Sequence, residues 1–114
     1  MKSITIYDVF ELNRVLHNIL KQQTSYPIRI AFTIHTLVKW LDDTESFIMD
    51  RIHMLFGNIN NMTEDPSYSM FLSAQIPFIE TDLSVEDLLN TEGDVIVDIE
   101  DVEILKKMLH KSED

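Results

Sequence analysis

No cysteine occurs among the 114 residues, so disulfides and cysteine-ligated zinc are excluded. Glycine appears twice and proline three times, which points to long regular elements rather than many tight turns. So little glycine also argues against a phosphate-binding loop or a dinucleotide fold. No apolar run approaches a membrane span. The start, MKSITIYDVF, has one lysine and no sustained apolar stretch, unlike a secretory signal. No H-E-x-x-H or other paired-ligand spacing occurs. Lysine and arginine are missing altogether from Met54 to Leu105.

That stretch is instead rich in acid: Glu64, Asp65, Glu80, Asp82, Glu86, Asp87, Glu92, Asp94, Asp98, Glu100, Asp101 and Glu103. The chain carries a net charge of −11. Such a surface disfavours nucleic-acid backbones and anionic membranes, and leaves a basic protein partner, or imitation of a nucleic acid, as open choices. With 45% apolar and 25% charged residues, the composition suits one folded domain over 1–114 with a modest core.

Ser3 to Tyr7 alternates as a short strand does, with Ile4 and Ile6 on one face. Asp8 then stands as an N-cap with Glu11 at the capping-box position. Val9, Leu12, Val15, Leu16, Ile19 and Leu20 form one helical stripe, giving a helix from about Tyr7 to Gln22. Pro27 suits a helix start. From Ile28 an apolar pattern runs for about thirty residues, with Ile30, Ile34, Leu37, Leu41, Ile48, Ile52 and Leu55 near a heptad repeat. Gly57 is placed to end that helix. The second helix outreaches the first, so its far half needs another surface, from the C-terminal region or a second subunit.

Beyond the polar loop Asn58 to Pro66, Ser67 to Ala74 reads as a short helix and Ile76 to Glu80 as a strand. Pro77 confines that strand to an edge or a non-donating position. Ser84 caps a short VEDLLN turn, with Asp87 at the capping-box position. Val95 to Ile99 reads as a strand, and Asp98 or Glu100 opens a last helix over about Asp101 to His110. Val102, Leu105 and Leu109 form its inner face. The expected fold is α+β: a long antiparallel helical hairpin (about 7–57) packed against a small sheet, followed by an acidic part (about 67–112) with a short C-terminal helix.

Little here supports catalysis. His35 and His53 share a helix face but lie roughly 27 Å apart, too far for one metal. His17 and His35 can approach across the hairpin, although a surface or flanking role accounts for them. Glu92-Gly93-Asp94 and Asp98-Ile99-Glu100-Asp101 lack the calcium-loop order, and a solvated acidic face explains them. Glu86/Asp87 and Glu100/Asp101 supply paired carboxylates but no sign of a cleft. The chain reads as no enzyme, with no cofactor and no metal. Trp40, Phe47 and Phe56, with Met49 and Met54, form a large apolar surface on the second helix. It serves as core, as an interface, or as both.

The segments ITIYDVFELNRVLHNILKQ and YPIRIAFTIHTLVKWLDD, followed by IPFIETDLSVEDLL and VIVDIEDVEILKKML, resemble a group of small tailed-phage proteins of unassigned function. Tyr26 stands where leucine is usual in that group, and Asn58 to Pro66 replaces a glycine-rich loop. The resemblance covers most of the chain and carries over no catalytic or binding residue. It implies a phage origin, in the virion or the host cytoplasm, and a role in the virion or its assembly. The expected function is therefore non-enzymatic protein–protein contact, including self-association, with Trp40, Phe47, Met54, Phe56, Glu100, Asp101 and Glu103 as partner-binding residues. The alternative is a host-directed acidic inhibitor or DNA mimic that binds a basic host or defence protein.

Overall fold

A computed structural model describes residues 3–22, 26–57, 66–79, 81, 83–89 and 98–109. Their elements run β1 (Ser3–Thr5), α1 (Ile6–Gln22), α2 (Ile28–Phe56), α3 (Pro66–Leu72), β2 (Gln75–Pro77), α4 (Val85–Leu89) and α5 (Ile99–Met108). The fold is mostly helical, with one small antiparallel sheet, and belongs to the α+β class.

α1 is the hub. Ile6, Val9, Leu12, Asn13, Val15, Leu16 and Ile19 are all buried. At 100° per residue they cover about half of the helix circumference, so α1 must be covered from more than one side. It packs against α2, α5, α3 and β1. Leu37, Leu41, Ile48 and Ile52 of α2 join that core, as do Leu83, Leu88, Leu105, Met108 and Leu109 from the C-terminal part.

The start of α1 departs from the sequence expectation. The N-cap is Thr5, not Asp8. The Asp8 N–H donates to Thr5 Oγ1 at 3.1 Å, and the Thr5 N–H donates back to Asp8 Oδ2 at 3.4 Å. This is a capping box with Asp8, not Glu11, in its third position. Helical hydrogen bonding begins directly after the short strand, so the residue closing β1 also caps α1. Thr5→Ala should therefore cost about 1 kcal/mol in a urea melt, since it strands one amide of the first turn. No loss would show that solvent serves that amide equally well.

β1 and β2 pair with Ser3 opposite Pro77, Ile4 opposite Ile76 and Thr5 opposite Gln75. Pro77 has no N–H to give and sits at the end of the ladder. The strand begins one residue earlier than expected and stops at Pro77, after which Phe78 turns in and is buried. Its ring meets Trp40 edge-on, with centroids 5.5 Å apart. Of the expected strand Val95 to Ile99, residues 95–97 lie outside the described residues. Asp98 and Ile99 are not strand: the Val102 N–H donates to Asp98 O at 3.0 Å, so the α5 ladder already starts there.

α2 begins after Pro27 and ends at Gly57 as expected. Gly57 has φ +64°, a conformation that strains any residue with a Cβ, and its N–H closes on His53 O at 3.0 Å. Ser84 accepts the Asp87 N–H at 3.0 Å, the cap expected for α4. α2 has 29 residues and α1 has 17, a length difference of roughly 18 Å. α3 covers part of the excess: Phe56 packs edge-on against Tyr68 and Phe71.

Candidate docking face

The sequence places Trp40, Phe47 and Met54 seven residues apart, which puts them on one face of α2. That face lies beside the core stripe of Leu37, Leu41, Ile48 and Ile52, not on it. Phe47 is 62% exposed and Met54 74% exposed. Trp40 is half-buried against Phe78. Leu55 does lie on the core stripe, yet it is 62% exposed. Ile30, near the other end of the same stripe, is only half-buried.

A groove of about 530 Å³ runs alongside. Thr44, Phe47, Arg51 and Leu55 of α2 line it, opposite Phe71 of α3 and Ile76 and Pro77 of β2. Its lining is almost wholly apolar. The charge at its edge is Arg51, whose guanidinium carbon stands 5.5 Å from the centre of the Phe47 ring. A cation over an aromatic face adds attraction and holds the ring in place. Sequence reasoning missed Arg51 and Leu55 as members of this site. The i, i+4 spacing of Phe47 and Arg51 was the available signal.

The other expected partner-binding residues are placed differently. Phe56 turns away from Phe47 and contributes to packing under Tyr68 and Phe71. Glu100 and Glu103 are exposed on α5, which packs on α1, and so they do not belong to the α2 face. Asp101 is turned inward and buried. Its Oδ1 accepts a hydrogen bond from Arg14 Nη2 at 2.9 Å. Asp101, and then Glu11, hold the Arg14 pKa above its ordinary value. Asp101 is thus a bond between α1 and α5 rather than part of an acidic surface.

His17 engages a carboxylate of α2. His17 Nε2 lies 3.0 Å from Asp42 Oδ1, so the ring must carry a proton on that nitrogen to bond the carboxylate. Asn13 Nδ2 donates to the same oxygen at 3.1 Å and to Glu45 Oε2 at 3.3 Å. The His17 hydrogen bond pulls the Asp42 pKa down; burial opposes this, and the Asn13 bond adds to it. A depressed carboxyl pKa contributes stability at neutral pH that is lost as the pH falls through the folded value. Asp42 is half-exposed, so the contribution is small. Among the described residues, no three His, Asp or Glu side chains gather as metal ligands. Glu92-Gly93-Asp94 lies outside the described residues. No described helix is long and apolar enough to cross a membrane. No known protein family, no curated protein and no solved structure matches this chain.

Proposed function

We propose that this protein is a non-enzymatic bacteriophage component that acts by docking a polypeptide on the outer face of α2, as a structural or assembly element of the virion. The supporting observation is the line Trp40–Phe47–Met54 with two members largely exposed beside an apolar groove. Large exposed apolar side chains clustered beside a groove are what a docking site needs, and aromatic anchors dominate binding energies. The phage setting rests on the resemblance alone. In this reading α1 and α2 work as an antiparallel hairpin. Asn13 reaches Glu45 and Asp42 while His17, one turn further along α1, reaches only Asp42. Partners that shift down α2 as α1 advances are what antiparallel helices give. The hairpin would hold α2 straight and leave its outer face free.

The alternative, an acidic inhibitor or nucleic-acid mimic, rests on Glu100, Glu103 and the exposed Ile99 of α5. It is the weaker reading, because Asp101 is already engaged by Arg14 and the same helix ends in Lys106 and Lys107.

A photo-crosslinking phenylalanine analogue at position 47 tests the docking reading, with the same analogue at the exposed Glu86 as control. In phage-producing cells or purified particles, position 47 should give one discrete covalent adduct and position 86 none. No adduct at 47, or equal adducts at both positions, would overturn the reading.

A further inference from the structure

A polypeptide that fills the groove beside Phe47 must accommodate Arg51. Among the described residues that line the groove, Arg51 alone is charged. The wall opposite α2 comes from α3 and β2, and residues 66–79 contain no Asp, Glu, Lys or Arg. Among the described residues, no carboxylate lies within ion-pair distance of Arg51. Its guanidinium stands over the Phe47 ring, which attracts the charge but leaves N–H donors for another acceptor. In the open groove, solvent serves those donors.

An occupant expels that solvent. A purely apolar segment then leaves a guanidinium partly desolvated and without a counterion, which opposes the gain from apolar burial. A carboxylate removes the conflict, because it accepts two parallel hydrogen bonds from an arginine. We infer that the groove takes a polypeptide segment that carries a large apolar side chain and, close to it, a carboxylate that binds Arg51. The inference rests on the docking reading and adds the chemistry of the partner.

The spacing along α2 narrows the motif. Phe47 lies four residues before Arg51 and Leu55 four residues after it. Each is roughly 6 Å away along the axis and about 40° to one side, so the cation sits in the middle of an apolar run. That distance is about two residues of extended chain or one turn of a helix. The acid therefore stands two to four positions from the apolar anchor. The rest of the segment is neutral or basic. A net charge of −11 repels an acidic polymer at long range, whereas one arginine acts only within about a Debye length.

A displayed library of random peptides of about twelve residues, panned on the full chain, tests the inference. The selected peptides should share a large apolar residue with Asp or Glu two to four positions away, and no run of acids. Binding of one such peptide, followed by fluorescence anisotropy, should weaken about tenfold or more on Arg51→Glu, where like charges meet. Arg29→Glu is the control. Arg29 is exposed on the same helix, roughly 33 Å from Arg51 along the axis, and its substitution changes the net charge equally. That variant should bind the peptide within about twofold of the wild type. The peptide with its acid replaced by lysine should bind R51E better than it binds the wild type. Arg29 and Arg51 are both exposed, so thermal melts of the two variants should match the wild type. Selected peptides that lack the acid, equal losses at the two sites, or a library that yields no binder would overturn the inference. A wild-type chain that sediments as a dimer, with peptides accepted only by R51E, assigns the groove to a second copy and also overturns it. If the acid proves irrelevant while the position-47 probe still gives its adduct, the docking reading stands without this partner chemistry. With neither acid-dependent binding nor an adduct, both fall.

Discussion

Leu16→Ala should lower the unfolding free energy by about 3–4 kcal/mol, the range for a fully enclosed leucine truncated in a core that cannot collapse around the gap. Leu16 is completely buried at the middle of α1. α1 is touched by α2, α5, α3 and β1, so the neighbours are braced by one another and cannot all move inward to refill the space. For a chain of this size the loss corresponds to a melting temperature lower by about 12–16 °C. It would remove a large share of the stability a small domain has. Leu55→Ala is the matched control. Leu55 lies on the apolar stripe of α2 but is 62% exposed, so its truncation should cost less than about 1 kcal/mol. Urea melts followed by circular dichroism measure both. Equal costs at the two leucines would mean that the far end of α2 is covered after all, and the exposed face would lose its basis.

That contrast also marks where the sequence stops being legible. The repeat through Ile30, Ile34, Leu37, Leu41, Ile48, Ile52 and Leu55 identifies one side of a helix, and five of those seven are buried. Periodicity reports azimuth around the axis. It does not report how far along the axis a neighbour reaches. The exposure of Leu55 depends on what other elements bring to that end of α2, which the pattern of one helix does not contain. Pro27 and Gly57 were readable as the bounds of α2 because each acts on its own backbone. The cap of α1 was misplaced by one turn for a local reason: Thr5 and Asp8 are both good caps, and only the path of β1 decides between them. Trp40 could not be separated from Phe47 by pattern alone, since Phe78, thirty-eight positions further along the chain than Trp40, determines that only Trp40 is half-covered. The place of Arg51 at the groove depends on Phe71, Ile76 and Pro77, which reach its other side from distant positions in the chain. The reading of Asp101 as surface acid failed most completely, because its partner Arg14 lies 87 positions away.

Arg14→Met should destabilise the fold by about 2–3 kcal/mol, whereas Asp101→Asn should cost only about 1 kcal/mol. The asymmetry comes from unequal burial. The Arg14 side chain is 52% exposed and the Asp101 side chain only 7% exposed. Met keeps most of the length of the Arg14 stem but removes the donor, and the Asp101 carboxylate is left charged with no counterion in a place that water hardly reaches. Asn at 101 keeps an oxygen to accept from Arg14, and the guanidinium it leaves unneutralised is half in solvent, with Glu11 still 3.2 Å away. The double variant R14M/D101A removes the stranded charge along with the donor, and should recover most of what R14M loses. A second link between the same elements, Lys107 to Asp8 at 3.4 Å, is intact in all three variants, so α5 should stay docked on α1 and the far-ultraviolet spectrum should be unchanged. Chemical denaturation of all three variants measures these costs. If R14M proves no costlier than D101N, the carboxylate is not desolvated. Asp101 would then return to the acidic surface of α5, and the reading of an acidic, host-directed binder would regain the residue it now lacks.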